Sequence, residues 1–159
     1  MAGIIDGRAY GYRAKQNKRI HKYTAVTIDA ADTAQNQEYC DIPGGANVAA
    51  LGLTTEHFVE PNYFVPQGTD RTTVTGSTPP TYSLAGRPVS VCVAGRARAV
   101  AASAINEGDE VNVADSSGRV KTVSESAGTL VYVLGRAQTK ASNANDIVIV
   151  EVAPYYKKT

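Results

Sequence analysis

The chain has 159 residues, a formal charge of only +1, nine Tyr, two Phe and no Trp. That length fits one domain with a radius of gyration of roughly 15 Å, large enough to bury a core without disulfides or metals. The near-neutral balance argues against a dedicated nucleic-acid binder, and no apolar run approaches the roughly 20 residues needed to cross a membrane. With aromatics scarce, the core must come from Val, Ala, Leu and Ile. The many Gly, Thr and Ser residues suit short strands and tight turns better than long helices.

Charge is unevenly placed. Residues 1–23 carry six Lys or Arg against the single acid Asp6, a local charge of +5 that leaves −4 for the rest. Gly3, Gly7 and Gly11 discourage a helix, and the apolar residues there show no sustained period, so an extended or disordered basic arm is expected. Such an arm can dock on an acidic partner surface or rest as a solvated tail on its own domain. Nucleic-acid contact is the weaker use of so short a basic stretch. The opening MAGIIDGRAYGYRAK lacks the apolar centre of a signal peptide. The chain is therefore expected to be made in a reducing cytoplasm and to stay there unless it leaves as part of a larger particle.

A single β-rich domain is expected over 24–159. TAVTI at 24–28 reads as a β-branched strand, 30–37 as a loop or short helix, and DIPGG at 41–45 as a turn. NVAALGL at 47–53 follows as a short apolar segment. His57 lies beside Glu56 and Glu60, but strand neighbours point to opposite faces and no second His or Cys stands at ligand spacing. It reads as a surface or interface histidine. Residues 61–83 hold Pro61, Pro66, Pro79 and Pro80 in a Thr/Ser/Gly-rich tract. A central strand would reject them, so this is a long loop expected to reach toward a neighbour.

Residues 84–153 carry the strongest β signal. Val89, Val91 and Val93 alternate with Ser90, Cys92 and Ala94 and should point one strand face at a core. Gly108-Asp109 leads into Val111 and Val113, and DSSG at 115–118 turns the chain toward Val120 and Val123, a hairpin. The runs 130–134 and 147–150 are apolar throughout and should sit with little solvent on either face. Five Gly-Arg pairs (7–8, 86–87, 95–96, 118–119 and 135–136) are too scattered for RNA binding. They read as turn glycines at strand ends followed by surface arginines. Cys40 and Cys92 read as small buried or half-buried thiols, with a disulfide open in an oxidising compartment.

Catalytic patterns are missing: no G-x-S-x-G, no H-E-x-x-H and no G-x-x-x-x-G-K-[ST] occurs. No catalytic, metal-binding or cofactor-binding residue is assigned, and nothing in the sequence supports an enzyme. Lys121 lies near a Gly-Asp-Glu-Val run like that of lipoyl carriers, but without their modification context. Binding is the expected role, with candidate contact residues Arg8, Tyr10, Tyr12, Arg13, Lys15, Lys18 and Arg19 in the arm and Tyr63 and Phe64 in the loop.

GRPVSVCVAGRARAVAASAINEGDEVNVADSSGRV, followed by VLGRAQTKASNANDIVIVEV, resembles the capsid decoration (cement) proteins of tailed bacteriophages. The matching positions are Gly95, Ala99, Val100, Ile105, Gly108, Asp109, Gly118, Gly135, Arg136, Ala137, Ala141, Ser142 and 147–152, with 40–53 compatible. The resemblance implies an all-β domain of the tulip, barrel or sandwich kind. It implies a homotrimer, built mainly through 84–153, on the outer surface of the phage head. There it would clamp the major capsid protein at three-fold and quasi-three-fold positions after expansion, without nucleic acid or membrane. The alternative is another virion β-domain of a tail or fibre, or a receptor- or carbohydrate-binding module.

Overall fold

The structure, a computed structural model, describes residues 4–14, 20–29, 39–55, 82–83 and 88–159. Among those residues there are eleven strands and no helix. The strands are β1 (Ile4–Ala14), β2 (Ile20–His21), β3 (Ala25–Ile28), β4 (Tyr39–Asp41), β5 (Gly52–Thr54) and β6 (Tyr82–Ser83). They continue with β7 (Pro88–Val100), β8 (Glu110–Val113), β9 (Val120–Thr122), β10 (Leu130–Ala137) and β11 (Ile147–Lys158). The loop or helix expected at 30–37, His57, most of the 61–83 loop and the Gly86-Arg87 pair lie outside the described residues.

The fold is all-β, and β7 organises it. Its long run supports two rings of strands. One edge of β7 pairs antiparallel with β1, from Ile4 opposite Ala97 to Arg13 opposite Pro88. Its other edge pairs first with β5, at Leu53 opposite Cys92. From there the ladder runs through β3 and β4 and returns to β1, where Ala14 meets Cys40 in parallel register. A closed five-stranded barrel results, which removes the exposed sheet edges that an open sandwich would leave.

Beyond Gly95 the same edge of β7 pairs with β11, and the sheet continues through β10 and β8 to β9. This second sheet curls until Ala101, just past β7, bridges Val120, and Ala102 N–H donates to Val120 O at 2.8 Å. Each ring has its own core. Ala14, Ile20, Val26, Cys40, Val89 and Val91 fill the first, with Tyr12 and Val93 packed against them. Ala97, Ala99, Val111, Val113, Leu134, Val148 and Val150 are among those filling the second. The Val89, Val91, Val93 alternation thus serves as the sequence predicts.

The hairpin at 110–122 also forms as expected, with Val111 opposite Thr122 and Val113 opposite Val120. Ser117 N–H donates to Asp115 Oδ1 at 2.9 Å, the local side-chain-to-backbone bond that favours Asp in turns. In β10, Val131, Tyr132, Val133 and Leu134 are all buried, so both faces are covered there, but Leu130, the first residue of the run, is 68% exposed. The expectation fails for 147–150: Val148 and Val150 are buried, but Ile147 is 46% exposed. β11 has one face on the core and one toward solvent, the ordinary arrangement of antiparallel sheets.

Two further expectations need correction. Ile4–Ala14 is extended backbone, but its pairing makes it a wall of the barrel rather than an arm standing apart from it. One of the glycines that discourage a helix, Gly7, also lets β1 lie close on β7: it stands opposite Gly95, and a Cβ on it would stand 2.2 Å from the Ala94 carbonyl oxygen. The Gly-Arg pairs at 7–8, 95–96 and 135–136 lie inside strands, not at their ends. At Gly135 a Cβ would stand 2.0 Å from the Glu151 carbonyl oxygen, so backbone proximity, not turning, calls for glycine there.

Candidate functional site

Of the sequence-predicted contact residues, Arg8, Tyr10, Tyr12 and Arg13 fall on β1. The period of two places 8, 10, 12 and 14 on one face. Ala14 and Tyr12 use that face to pack in the first barrel. Tyr10, at 52% exposure, and the exposed Arg8 continue it beyond the end of the core. Arg13 is exposed on the opposite face. Lys15, Lys18, Arg19, Tyr63 and Phe64 lie outside the described residues.

A row of alternating charge crosses the sheet next to that strand. Register places Asp6 of β1 opposite Arg96 of β7, Arg96 opposite Glu151 of β11, Glu151 opposite Arg136 of β10, and Arg136 opposite Glu110 of β8. Among Arg96, Glu151, Arg136 and Glu110, opposite charges facing across strands each favour this register modestly. The row ends in a tighter cluster. Glu110 accepts hydrogen bonds from Lys157 Nζ and Tyr155 O–H, with an Arg136 guanidinium nitrogen at 3.7 Å. The Lys157 and Tyr155 hydrogen bonds hold the Glu110 carboxyl below its usual range. This cluster ties down the end of β11, where Tyr156 is 61% exposed and, across the ladder, Leu130 is 68% exposed.

A pocket of about 450 Å³ opens where the two rings meet. Residues 21–24 form one side and Val100, at the end of β7, backs it. The β8–β9 turn brings Ser117 and Arg119, the turn before β11 brings Asn145, and Ile147 comes from the start of β11. Three backbone bonds between separate segments hold the frame: Ala25 N–H to Gly118 O at 2.7 Å, Val100 N–H to Tyr23 O at 2.9 Å, and Asn145 N–H to Ala101 O at 2.7 Å. Gly118 has φ +76°, and a Cβ there would stand 2.4 Å from Ala25 O, so only glycine fits this crossing.

Arg119 is fixed from two sides. Its Nε and Nη2 donate to Asp115 Oδ2 at 2.8 and 2.7 Å, and its Nη1 donates to Asn145 Oδ1 at 3.2 Å. Tyr23 holds φ 61°, a left-handed conformation that is strained for a bulky side chain. The Lys22 ammonium and the Arg98 guanidinium lie over its ring, at 5.5 and 5.9 Å from the centroid. Sequence reading missed this site. Its residues come from four distant segments, and the one local signal is the Asp115-to-Arg119 spacing in the hairpin turn.

The thiols are settled in place. Cys40 and Cys92 are free, buried and in different cores. Burial pushes Cys40 up to about 12 and raises Cys92 as well. Among the described residues, no group of three or more His, Cys, Asp or Glu gathers as a metal site, and no helix is long and apolar enough to cross a membrane.

No family model matches the chain, and no curated protein does. Solved structures do. One is the N base of head fibre gp8.5 of bacteriophage phi29, with a TM-score of 0.55 over 96% of this chain and 95% of that one. Sequence identity is 13%. What the two share across nearly their whole lengths is the fold.

Proposed function

We propose that the protein is a structural component of a phage virion, held on the outer surface of the head and acting by binding alone. The observation that carries this reading is the likeness in fold, over nearly the whole of both chains, to the base of a phage head fibre. The finer form of the proposal is a decoration protein that binds the major capsid protein at three-fold and quasi-three-fold positions. It would do so as a homotrimer built mainly through residues 84–153. A trimer that engages several capsid subunits at once gains avidity from modest contacts through effective concentration. Contacts available only in the expanded lattice would stabilise that lattice by mass action.

Three features support the role. The two rings share β7, so contacts made through either ring would be joined by one continuous strand. The basic 1–23 stretch, with Arg8, Tyr10 and Arg13 exposed on β1, offers charge to an acidic shell. The exposed Leu130 and Tyr156, on one face at the end of β10 and β11, offer an apolar patch to a second copy or to the lattice.

A second reading is favoured by the neighbour's own description: the chain would be the base of a head appendage. Co-sedimentation with heads lacking the protein distinguishes these readings. Saturable binding to expanded but not to unexpanded heads, at one trimer per three-fold site, supports decoration. Binding at far lower stoichiometry supports an appendage base, and binding to neither form refutes head attachment.

A further inference from the structure

The pocket between the two rings has a chemistry that the proposed function does not use. Its wall is aliphatic, from Val100 and Ile147, and its polar side chains are cationic or neutral: His21, Lys22, Thr24, Ser117, Arg119 and Asn145. No acid lines it. Arg119 has five N–H groups; three are taken by Asp115 and Asn145, which orients the guanidinium, pairs its charge with Asp115 and leaves one N–H on each Nη without a partner among the described residues. Ile147 stays 46% exposed in a strand whose next residue, Val148, is fully buried. The strained φ of Tyr23 is held by Val100 N–H on its carbonyl and by its own N–H on Thr54 O at 3.2 Å. Such over-determined strain is concentrated at binding sites, and about 450 Å³ lies in the range of small-ligand pockets.

We infer that this pocket receives an acidic peptide segment of a partner protein, with one carboxylate between Lys22 and Arg119 and an adjoining apolar side chain against Val100 and Ile147. Charge favours it: Lys22 closes the +5 stretch of residues 1–23. A planar guanidinium already oriented by its neighbours matches a carboxylate. A sugar ring is the poorer fit, because Tyr23 is only 7% exposed and cations cover its ring, so no aromatic platform is open to it. A bare phosphate would leave the aliphatic wall unmatched. That the partner is the head shell rests on the proposed function; the chemistry of the pocket does not.

The test titrates the full-length ¹⁵N-labelled chain with acetyl-Leu-Glu-Leu-amide, the same peptide with Gln for Glu, glucuronate, and inorganic phosphate. The inference expects saturable shifts from the Glu peptide at 22–24, 117–119 and 145–147. Replacing Glu by Gln, or testing Lys22→Gln or Arg119→Gln, should weaken binding roughly tenfold through loss of a charge-assisted hydrogen bond. Lys22→Gln touches no hydrogen bond in the frame, so it reports even if Arg119→Gln disturbs the hairpin. Absence of shifts with the Glu peptide, equal shifts with the Gln peptide, or tighter binding of glucuronate or phosphate overturns the inference. Head binding by the same variants separates the two proposals. Peptide binding without head binding refutes head attachment alone, whereas head binding unaltered in Lys22→Gln without peptide binding refutes the pocket alone.

Discussion

Gly135→Ala probes the account of how the second ring is held. Gly135 is where β10 pairs with both neighbours, opposite Val152 of β11 and Val111 of β8. A register shift lies beside it: Val133 pairs with Tyr155, and Gly135 with Val152. Ala153 and Pro154 therefore stand opposite Leu134, so Pro154, which has no N–H to give, falls in the bulge. A methyl group at Gly135 would sit 2.0 Å from Glu151 O, 2.9 Å from Glu151 C and 3.1 Å from Val152 Cα. All three are backbone atoms, so no rotamer relieves the contact and the strands must separate by an ångström or so. Overpacking costs roughly 1–3 kcal/mol, and each ladder bond lost adds about 1 kcal/mol, so we expect about 3 kcal/mol or more. For a chain of this size that lowers Tm by roughly 6–12 °C. Gly11→Ala is the control: a Cβ there meets nothing within 4 Å, and the change should be neutral or stabilise by up to about 1 kcal/mol. Thermal and urea unfolding followed by circular dichroism measure both. A Gly135→Ala midpoint equal to wild type, or a Gly11→Ala loss as large as that of Gly135→Ala, would refute the close-approach argument.

Tyr132 O–H donates to Ala50 O, and burial pushes its phenol up to about 12 from 10. A raised folded-state value means that its contribution is full below pH 10 and is lost as pH rises toward 12. Tyr132→Phe should cost about 1 kcal/mol at neutral pH and flatten the part of the alkaline limb that Cys40, raised from 9 to about 12, does not supply; an unchanged limb in pH-jump unfolding contradicts this. Native protein at pH 8 should react with a chromogenic disulfide at neither cysteine, and both should react in denaturant; rapid native labelling would mean that the cores open. Glu110 is depressed below 4.5, so its hold on Tyr155 and Lys157 persists above that value and fails as pH falls through the depressed one. Amide protection at 155–158 should fall in acid and lose that pH dependence in Glu110→Gln, whereas identical profiles would assign the cluster no role.

Much of the second ring was legible because its information is local. Val111-Asn112-Val113, the DSSG turn and Val120 specify a hairpin through alternation and turn chemistry alone, and the apolar run at 130–134 announces a strand that is buried from Val131 to Leu134. β1 was not legible, because its pairing partner is β7, far along the chain, and nothing in residues 4–14 names it. The Gly-Arg pairs misled for a related reason: a glycine demanded by a carbonyl on the neighbouring strand looks the same in sequence as one demanded by a turn. Ile147 misled because an apolar residue on a solvent-facing strand position looks like core. It lines the pocket, whose other residues come from separate turns. That site has no motif and becomes visible only once Gly118 is stacked on Ala25.

The central claim is attachment to the outside of a phage head. Reconstruction of expanded heads by electron cryomicroscopy, with and without added full-length protein, tests it most directly. The account predicts added density on the outer surface at three-fold and quasi-three-fold positions, into which three copies of the two-ring fold fit with β1 or the β10–β11 end toward the shell. Unchanged heads, together with density for the protein elsewhere on the virion, would contradict it.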